Sequence, residues 1–442
     1  MNLEEYVNSL QTKKIAVLGI GISNIPLIRL LCSYGSDVTA CDKRSFSELG
    51  SVALDLISAG AKLKLGDDYL ENLDHDLIFR TPGLMPFHIH PENESAEVTS
   101  EMELFFRLCP CRTVAITGSD GKTTTSSIIA CLLEESGYRV HLGGNIGKPL
   151  LCEIPLMSEN DICVLELSSF QLHSMLCSPD VAVITNISPN HLDKHKDFDD
   201  YVDAKKQIFL HQKANAKLVL NADDALVSAF PGTDYFSVEA PVNGTYLQDG
   251  ILYRYGRPLL NADEIFIPGI HNIKNFLAAF AATEGLVSDS VCCKVAKEFK
   301  GVEHRLEFVR ELNGIVFIND SIGSSPSRTI AGLHAMKRKP IVILGGYDKQ
   351  IPFDELGNEL LKYGKKAVLT GATADKIADA INAAGSFEYE KVPDFDSAVR
   401  RAYELAEPND IVLFSPACAS FDCFRNFEER GKHFKKLIME LS

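Results

Sequence analysis

No stretch of this sequence holds the ~18 apolar residues in a row that a membrane-spanning helix needs. Its opening, MNLEEYVNSLQTKK, carries acidic side chains where a secretory leader carries basic ones and has no apolar core behind them. Both absences predict a cytoplasmic protein without a membrane partner. A basic excess is missing too: 44 Lys and Arg stand against 60 Asp and Glu, a formal net charge of −16. Broad binding to duplex nucleic acid or anionic lipid requires a basic surface that releases counterions, so neither is expected. Among the 12 cysteines, Cys109-Pro-Cys111 and Cys292-Cys293 lack the paired CxxC spacing of a zinc site. Cys32, Cys131 and Cys163 lie inside apolar runs, as reduced and buried thiols do. Internal repeats and low-complexity tracts are absent, and 45% hydrophobic with 24% charged residues excludes general disorder.

What is present reads as α/β. At 442 residues the length prior is three domains. The run KIAVLGI (14–20) ends in Gly19-Ile-Gly21 and is followed by a helical stretch and a second strand, DVTACD. That is a βαβ opening with half a dinucleotide fingerprint, because the third glycine of GxGxxG falls at Asn24. The polar stretch HPENESAEVTS (90–100) reads as a linker, and Ser100 with Glu103 as a capping box for the next helix. From residue 113, strands TVAIT, YRVHLGG, DICVLEL, VAVITNI and AKLVLNA alternate with amphipathic helices, the pattern of a mostly parallel sheet covered on both faces. Residues 243–268 read as a small hairpin appendage, a helix resumes at 271, and a third alternation follows residue 302. The expected domains are 1–101, 102–302 and 303–442, the outer two Rossmann-like.

The chemistry centres on TVAITGSDGKTTTSS (113–127). A P-loop places a glycine six positions before its lysine, but that position here is Ile116, so the loop is two residues short. Even so, Gly118 and Gly121 can leave backbone N–H groups convergent on phosphate oxygens. The following helix offers the positive end of its dipole, Lys122 a mobile cation, and the Thr123 hydroxyl a ligand for Mg²⁺. The alternative is an ordinary βα turn. Asp120 is expected to face outward, since a carboxylate inside the cradle would repel phosphate.

Other candidates cluster at strand ends. Glu166 closes DICVLEL, where a carboxylate either binds a hard cation or caps the next turn. His191 and His195 of NHLDKH stand four apart but lack the glutamate of a zinc-protease motif. In YVDAKKQIF, Lys205 lies mid-face among Tyr201, Val202, Ile208 and Phe209, so it either snorkels outward or serves a site. A neutral lysine amine can add carbon dioxide and become an anionic carbamate, a metal ligand. Asp320, Lys349 and Ser420 all follow strands of the third alternation and could share one rim.

Taken in order, GIGISNIPL, TPGLMP, GSDGKTTT, GGNIGKP, ELSSFQL, NHLDKH, YVDAK, HNIKN, EHRLEFV, INDSIGSSP, LGGYDK and SPACASFDCFRNFEERG resemble the Mur ligases along essentially the whole chain. ELSSFQL and SPACASFDCFRNFEERG are similar to the D-glutamate-adding branch. GSDGKT and HNIKN also occur in folylpolyglutamate synthetases, which leaves a related amide ligase as the alternative. The resemblance implies an N-terminal domain for a UDP-sugar, a central ATPase domain and a C-terminal domain for the amino acid. It further implies ATP-dependent amide formation through an acyl phosphate, with UDP-N-acetylmuramoyl-L-alanine and D-glutamate as substrates, by a monomer.

By motif match, Gly118, Ser119, Asp120, Gly121, Lys122, Thr123 and Thr124 would hold ATP together with Asn272, Asn275, Arg305 (γ-phosphate) and Asp320 (ribose). Thr123, Glu166, His191 and a carbamylated Lys205 would position two Mg²⁺ ions. Ser23, Lys43, Arg44, Gly83 and Asn145 would meet the UDP-sugar, while Ser324, Lys349, Ser420 and Phe427 would receive D-glutamate. Three positions depart from the family pattern: Asp120 for the more usual Asn or Thr, Asn190 for an acidic residue, and Ile322 for the lysine of some members. A nicotinamide-dependent dehydrogenase, read from the GxG turn and Asp42, and a nucleotide-binding protein without catalysis are the remaining alternatives.

Overall fold

A computed structural model describes residues 2–190, 194–349 and 351–442. The chain divides into two compact units, Met1–Phe266 with Ile270–Phe299, and Ile267–Gly269 with Lys300–Ser442.

The first unit holds two sheets. In one, β1 (Lys14–Leu18), β2 (Asp37–Asp42), β3 (Lys62–Leu65), β4 (Leu77–Arg80) and β5 (Glu97–Ser100) run parallel in the order β3-β2-β1-β4-β5. Strand β1 is apolar at four consecutive positions because both of its faces are covered. The stretch expected as a linker in fact ends in the edge strand β5. Its pairing to β4 comes from the backbone, so its polar sequence gives no alternation to read. Ser100 caps the helix Glu101–Leu108 by accepting from the Glu103 amide at 3.1 Å. The reciprocal half of the capping box is missing, because the Glu103 carboxylate accepts from Arg107 at 2.9 Å instead.

The second sheet comprises β6 (Arg112–Thr117), β7 (Val140–Gly144), β8 (Ile162–Glu166), β9 (Val181–Ile184), β10 (Lys217–Asn221), β11 (Asp234–Ser237), β12 (Gly244–Gln248), β13 (Ile251–Arg254) and β14 (Arg257–Asn261). Their order is β14-β13-β12-β11-β10-β9-β6-β8-β7. Strand β12 pairs parallel with β11 before the chain turns back antiparallel through β13 and β14. The supposed hairpin appendage is thus the continuation of the central sheet. One apolar core, from Leu3 through Phe79 and Leu165 to Val227, runs through both sheets. Arg80, fully buried at the end of β4, donates to the Phe170 carbonyl and Ser174 hydroxyl at 2.9 and 2.8 Å.

In the second unit, β15 (Glu307–Leu312), β16 (Ile315–Asn319), β17 (Ile341–Leu344), β18 (Lys366–Leu369), β19 (Tyr389–Lys391) and β20 (Ile411–Phe414) form a sheet in the order β15-β16-β20-β17-β18-β19. Only β15 is antiparallel. Alternate residues of β17 feed separate cores, Ile341 and Ile343 in one and Val342 and Leu344 in the other, so both faces are packed. Three mostly parallel sheets flanked by helices give the α/β architecture. Among the described residues no helix is long and apolar enough to cross a membrane.

Candidate active site

The short loop leaves the carboxyl end of β6 and enters the helix Lys122–Glu135. Its two glycines are required sterically. Gly118 has φ +150°, and a Cβ there would overlap the Thr185 hydroxyl; Gly121 has φ +79°, and its Cβ would lie 2.5 Å from Asn275 Oδ1. Asn186 pins the loop from the next strand end. Its carbonyl accepts from the Ser119 amide at 2.9 Å, its Oδ1 from the Asp120 amide at 3.0 Å, and its Nδ2 donates to the Asp120 carbonyl at 3.1 Å. The loop amides expected to face a phosphate are therefore turned to Asn186 at two positions. Donors for an anion come instead from the helix's first turn, where the amides of Thr123 and Thr124 have no acceptor within the helix. Asp120 is exposed, as anticipated.

Two lysines converge on this loop. Lys122 Nζ donates to the carbonyls of Gly118 and Ser119 at 2.8 Å each, and Lys205 Nζ donates to the same Gly118 oxygen at 2.8 Å. Lys205, on the helix Phe198–Leu210, is 1% exposed and sits 4.7 Å above the Tyr201 ring. It does not snorkel. Burial and then the Lys122 charge hold its pKa well below the ordinary lysine value, against the pull of Asp120 and Glu166. Glu166 ends β8 only 2% exposed. Its Oε1 accepts from Asn145 Nδ2 at 2.8 Å, while its Oε2 is buried without a hydrogen-bond partner. An orphaned carboxylate oxygen, a neighbouring hydroxyl residue in the loop helix and a buried amine suited to carbamylation are a donor set that fits a hard divalent cation. On the neighbouring helix Ile270–Ala282, Asn275 accepts from Thr125 at 3.2 Å and donates to Asn272 at 3.4 Å. His191 lies outside the described residues.

Both ring nitrogens of His195 are engaged in hydrogen bonds. Its Nδ1 is 2.8 Å from Asp200 Oδ2 and its Nε2 2.9 Å from Ser169 Oγ. Asp200 also accepts from His173 at 2.9 Å. Partial burial opposes the Asp200 charge, but the hydrogen bonds from His195 and His173 prevail and lower its pKa. This bridge ties the segment after residue 193 to the turn that follows Glu166.

At the GxG turn, Arg44 grips Asp42 with Nε at 2.9 Å and Nη2 at 2.8 Å and also donates to the Ile20 carbonyl at 2.6 Å. Burial works against the Asp42 charge, yet Arg44 and the Ile20 amide hold its pKa down at about 2. With Asp42 so engaged, a ribose-binding role for it loses support. Ser23 begins the helix Asn24–Ser33, and Lys43 and Gly83 are exposed.

In the second unit, Lys349 Nζ donates to the Ser324 carbonyl and hydroxyl at 3.0 and 3.1 Å, which brings two expected amino-acid ligands together. Ser420 is buried, and Phe427 opens the helix Phe427–Glu440 and meets His304 edge-on. Arg305 follows His304, a residue with positive φ. Asp320 is turned inward: it accepts from Ser415 at 2.6 Å and from the Leu306 amide at 3.2 Å, and burial pushes its pKa up to about 6. The sequence reading did not single out Arg430. Buried at 2% exposure, it donates to the carbonyls of Ser321, Cys418 and Ala419 at 2.9, 3.0 and 2.9 Å and thereby fixes both loops of the rim. An arginine inside a run as rich in charge as FEERGKHF gives no sequence signal of burial.

Residues 116–283 match the Mur ligase middle domain and residues 304–418 the Mur ligase, glutamate ligase domain. The chain is 48% identical to a UDP-N-acetylmuramoylalanine--D-glutamate ligase of Acetivibrio thermocellus, over 99% of this chain and 98% of the relative. The chain belongs to the Mur ligase family. This Mur ligase is also 47% identical to the enzyme of the same name from Clostridium beijerinckii, over 100% of this chain and 99% of the relative. Among solved structures, the Mur ligase fold is shared with the UDP-N-acetylmuramate-alanine ligase MurC from Thermotoga maritima (TM-score 0.60, 20% identity, 97% and 99% of the two chains). It is also shared with the MurF ligase of Thermotoga maritima in complex with ADP (TM-score 0.57, 19% identity, 98% and 99%).

Proposed function

We propose that this Mur ligase joins D-glutamate to UDP-N-acetylmuramoyl-L-alanine in an ATP-dependent reaction of cytoplasmic peptidoglycan precursor synthesis. The observation that carries the reading is the pair of lysines on one carbonyl, Lys122 and Lys205 on Gly118, beside the orphaned oxygen of Glu166. Full-length relatives at 45–48% identity bearing the D-glutamate ligase name support the acceptor and the amino acid.

Amide formation from a carboxylate needs an oxygen that can leave. The acceptor carboxylate attacks the γ-phosphorus and expels ADP; the amine of D-glutamate then adds to the acyl carbon, and inorganic phosphate departs. Two anions must meet in the first step, so cationic groups have to neutralise them. Lys122, released from its loop carbonyls by an entering phosphate, is positioned to do so. Thr123, Glu166, His191 and a carbamylated Lys205 would hold Mg²⁺, which when bound supplies Lewis acidity at the phosphoryl oxygens. Asn272, Asn275, Arg305 and Asp320 are assigned to ATP. Ser23, Lys43, Arg44, Gly83 and Asn145 are assigned to the UDP-sugar, and Ser324, Lys349, Ser420 and Phe427 to D-glutamate. We assign residues 1–101 to the UDP-sugar, 102–302 to ATP and 303–442 to the amino acid, and propose that the enzyme acts as a monomer.

The test is phosphate release from ATP and Mg²⁺ with UDP-N-acetylmuramoyl-L-alanine and a panel of amino acids, plus a folate as alternative acceptor. Release only with D-glutamate and the muramoyl acceptor is expected. Equal turnover with L-alanine, L-lysine or L-glutamate, or with the folate, refutes the assignment.

A further inference from the structure

Away from the nucleotide loop, three thiols from two stretches of chain meet at the amino-terminal ends of β6 and β8. We propose that Cys109, Cys111 and Cys163, with the Met157 thioether beside them, form a binding site for a thiophilic divalent cation of the zinc type. The three sulfurs all lie within 4.8 Å of one another, Cys109 Sγ is 3.6 Å from Cys163 Sγ, and Cys163 Sγ is 3.8 Å from Met157 Sδ. A tetrahedral ion with metal–sulfur bonds of ~2.3 Å holds neighbouring sulfurs ~3.8 Å apart, so the cluster needs only small side-chain adjustments to close on one.

Sequence spacing hides this site because its ligands are not a CxxC pair. The register of the sheet creates it: Cys163 stands opposite Thr113 across the β6–β8 ladder, which brings it beside the residues that lead into β6. Single buried thiols act as small apolar groups, but that role does not require three of them to converge with a thioether.

Sulfur ligands select soft ions, and charge chooses among those. Three thiolates with a dication leave −1, whereas a monocation such as Cu⁺ leaves −2. Asp161 lies near Cys111 and Asp180 near Cys109, and both carboxylates raise the cost of the extra negative charge. On binding, three S–H bonds give up their protons to solvent as three sulfur–metal bonds form; Cys111 then ceases to donate to the Ser158 carbonyl, 3.2 Å away. Cys109 is half-buried and offers the ion a path from solvent, while Cys111 and Cys163 are buried. Cys163 precedes Glu166 by three residues, ~10 Å along the strand, so an ion here is separate from one at the nucleotide loop. It would fasten the segment leaving the helix Glu101–Leu108 to strand β8 of the second sheet.

The experiment titrates the reduced full-length chain with Cd²⁺ in excess Mg²⁺ and follows the thiolate-to-metal charge-transfer band, with Zn²⁺ as competitor. One Cd²⁺ per chain, displaced by Zn²⁺, is expected. Cys109→Ala and Cys163→Val should each weaken binding at least tenfold and shrink the band, and Cys32→Ala should leave both unchanged. Zn²⁺ should raise the melting temperature of the parent but not of the two variants. If Cys163→Val fails to fold by circular dichroism, the half-buried Cys109→Ala carries the test. A band that survives Cys109→Ala at full strength, or no saturable band in the parent, overturns the site.

Discussion

Lys205 occupies a position that stability alone would not choose. An ammonium 1% exposed, sharing one carbonyl oxygen with a second lysine, gains no opposite charge at hydrogen-bond range among its described partners, which are that carbonyl and the Thr117 hydroxyl. Groups held at such a cost mark functional sites, where local stability is given up for chemistry. Replacing it with an apolar side chain of similar length should therefore leave the melting temperature of Lys205→Met equal to or above that of the parent, while ligation falls by roughly 10²–10³-fold. If Lys205 carries the proposed carbamate, Lys205→Ala should recover part of its activity when formate or acetate is added, because a small carboxylate can take the place of the carbamate oxygens. Full activity in either variant removes Lys205 from the reaction.

At the level of elements, the loop and the helix after it were legible because glycine, lysine and threonine fall at fixed offsets behind an apolar strand. The brace was not, since Asn186 and Asn275 are remote in sequence from the loop, one following β9 and the other on the helix Ile270–Ala282, and only the packed fold brings them to it. Gly121→Ala tests that brace. A side chain at φ +79° costs about 1–3 kcal/mol, and this one also displaces the Asn275 amide. The variant should melt several degrees lower and lose ATP affinity in a binding titration. The helix Glu101–Leu108 carries a second device. Glu101 is 5% exposed, and burial pushes its pKa from the usual 4.5 up to about 7, only partly offset by the Leu151 amide at 3.1 Å. Because the folded value lies above the unfolded one, the folded chain holds its proton longer. Stability is unaffected below pH 4.5, declines as pH rises from 4.5 to 7 and is level above 7, a loss of about 3 kcal/mol at 1.36 kcal/mol per pH unit. Glu101→Gln should abolish this decline in denaturant titrations across that window and be the more stable protein at pH 8.

At the scale of the molecule, a sequence can reveal alternation and linker composition, but it cannot reveal which cores are shared. Strand–helix periodicity made three sheets expected, and three are present among the described residues. The polar stretch before residue 101 looks like a place where contacts lapse, yet the apolar core runs across it, and Arg80, with no exposed surface, finds acceptors at Phe170 and Ser174, in and just after the helix that follows β8. The sheet of the second unit differs in this respect: its strands bury alternate residues in two cores drawn wholly from residues 306–441. Separate expression should therefore divide the chain unequally. A fragment of residues 300–442 is expected to fold with a cooperative thermal transition of its own. A fragment of residues 1–101 lacks the Phe170 and Ser174 acceptors of Arg80 and leaves part of the first core uncovered. It should bind a hydrophobic dye and show no sharp transition, while a fragment of residues 1–299 restores both partners and melts cooperatively. Cooperative folding of 1–101 alone would show that the shared core is not required, and the continuity seen across residue 101 would then be packing without thermodynamic coupling.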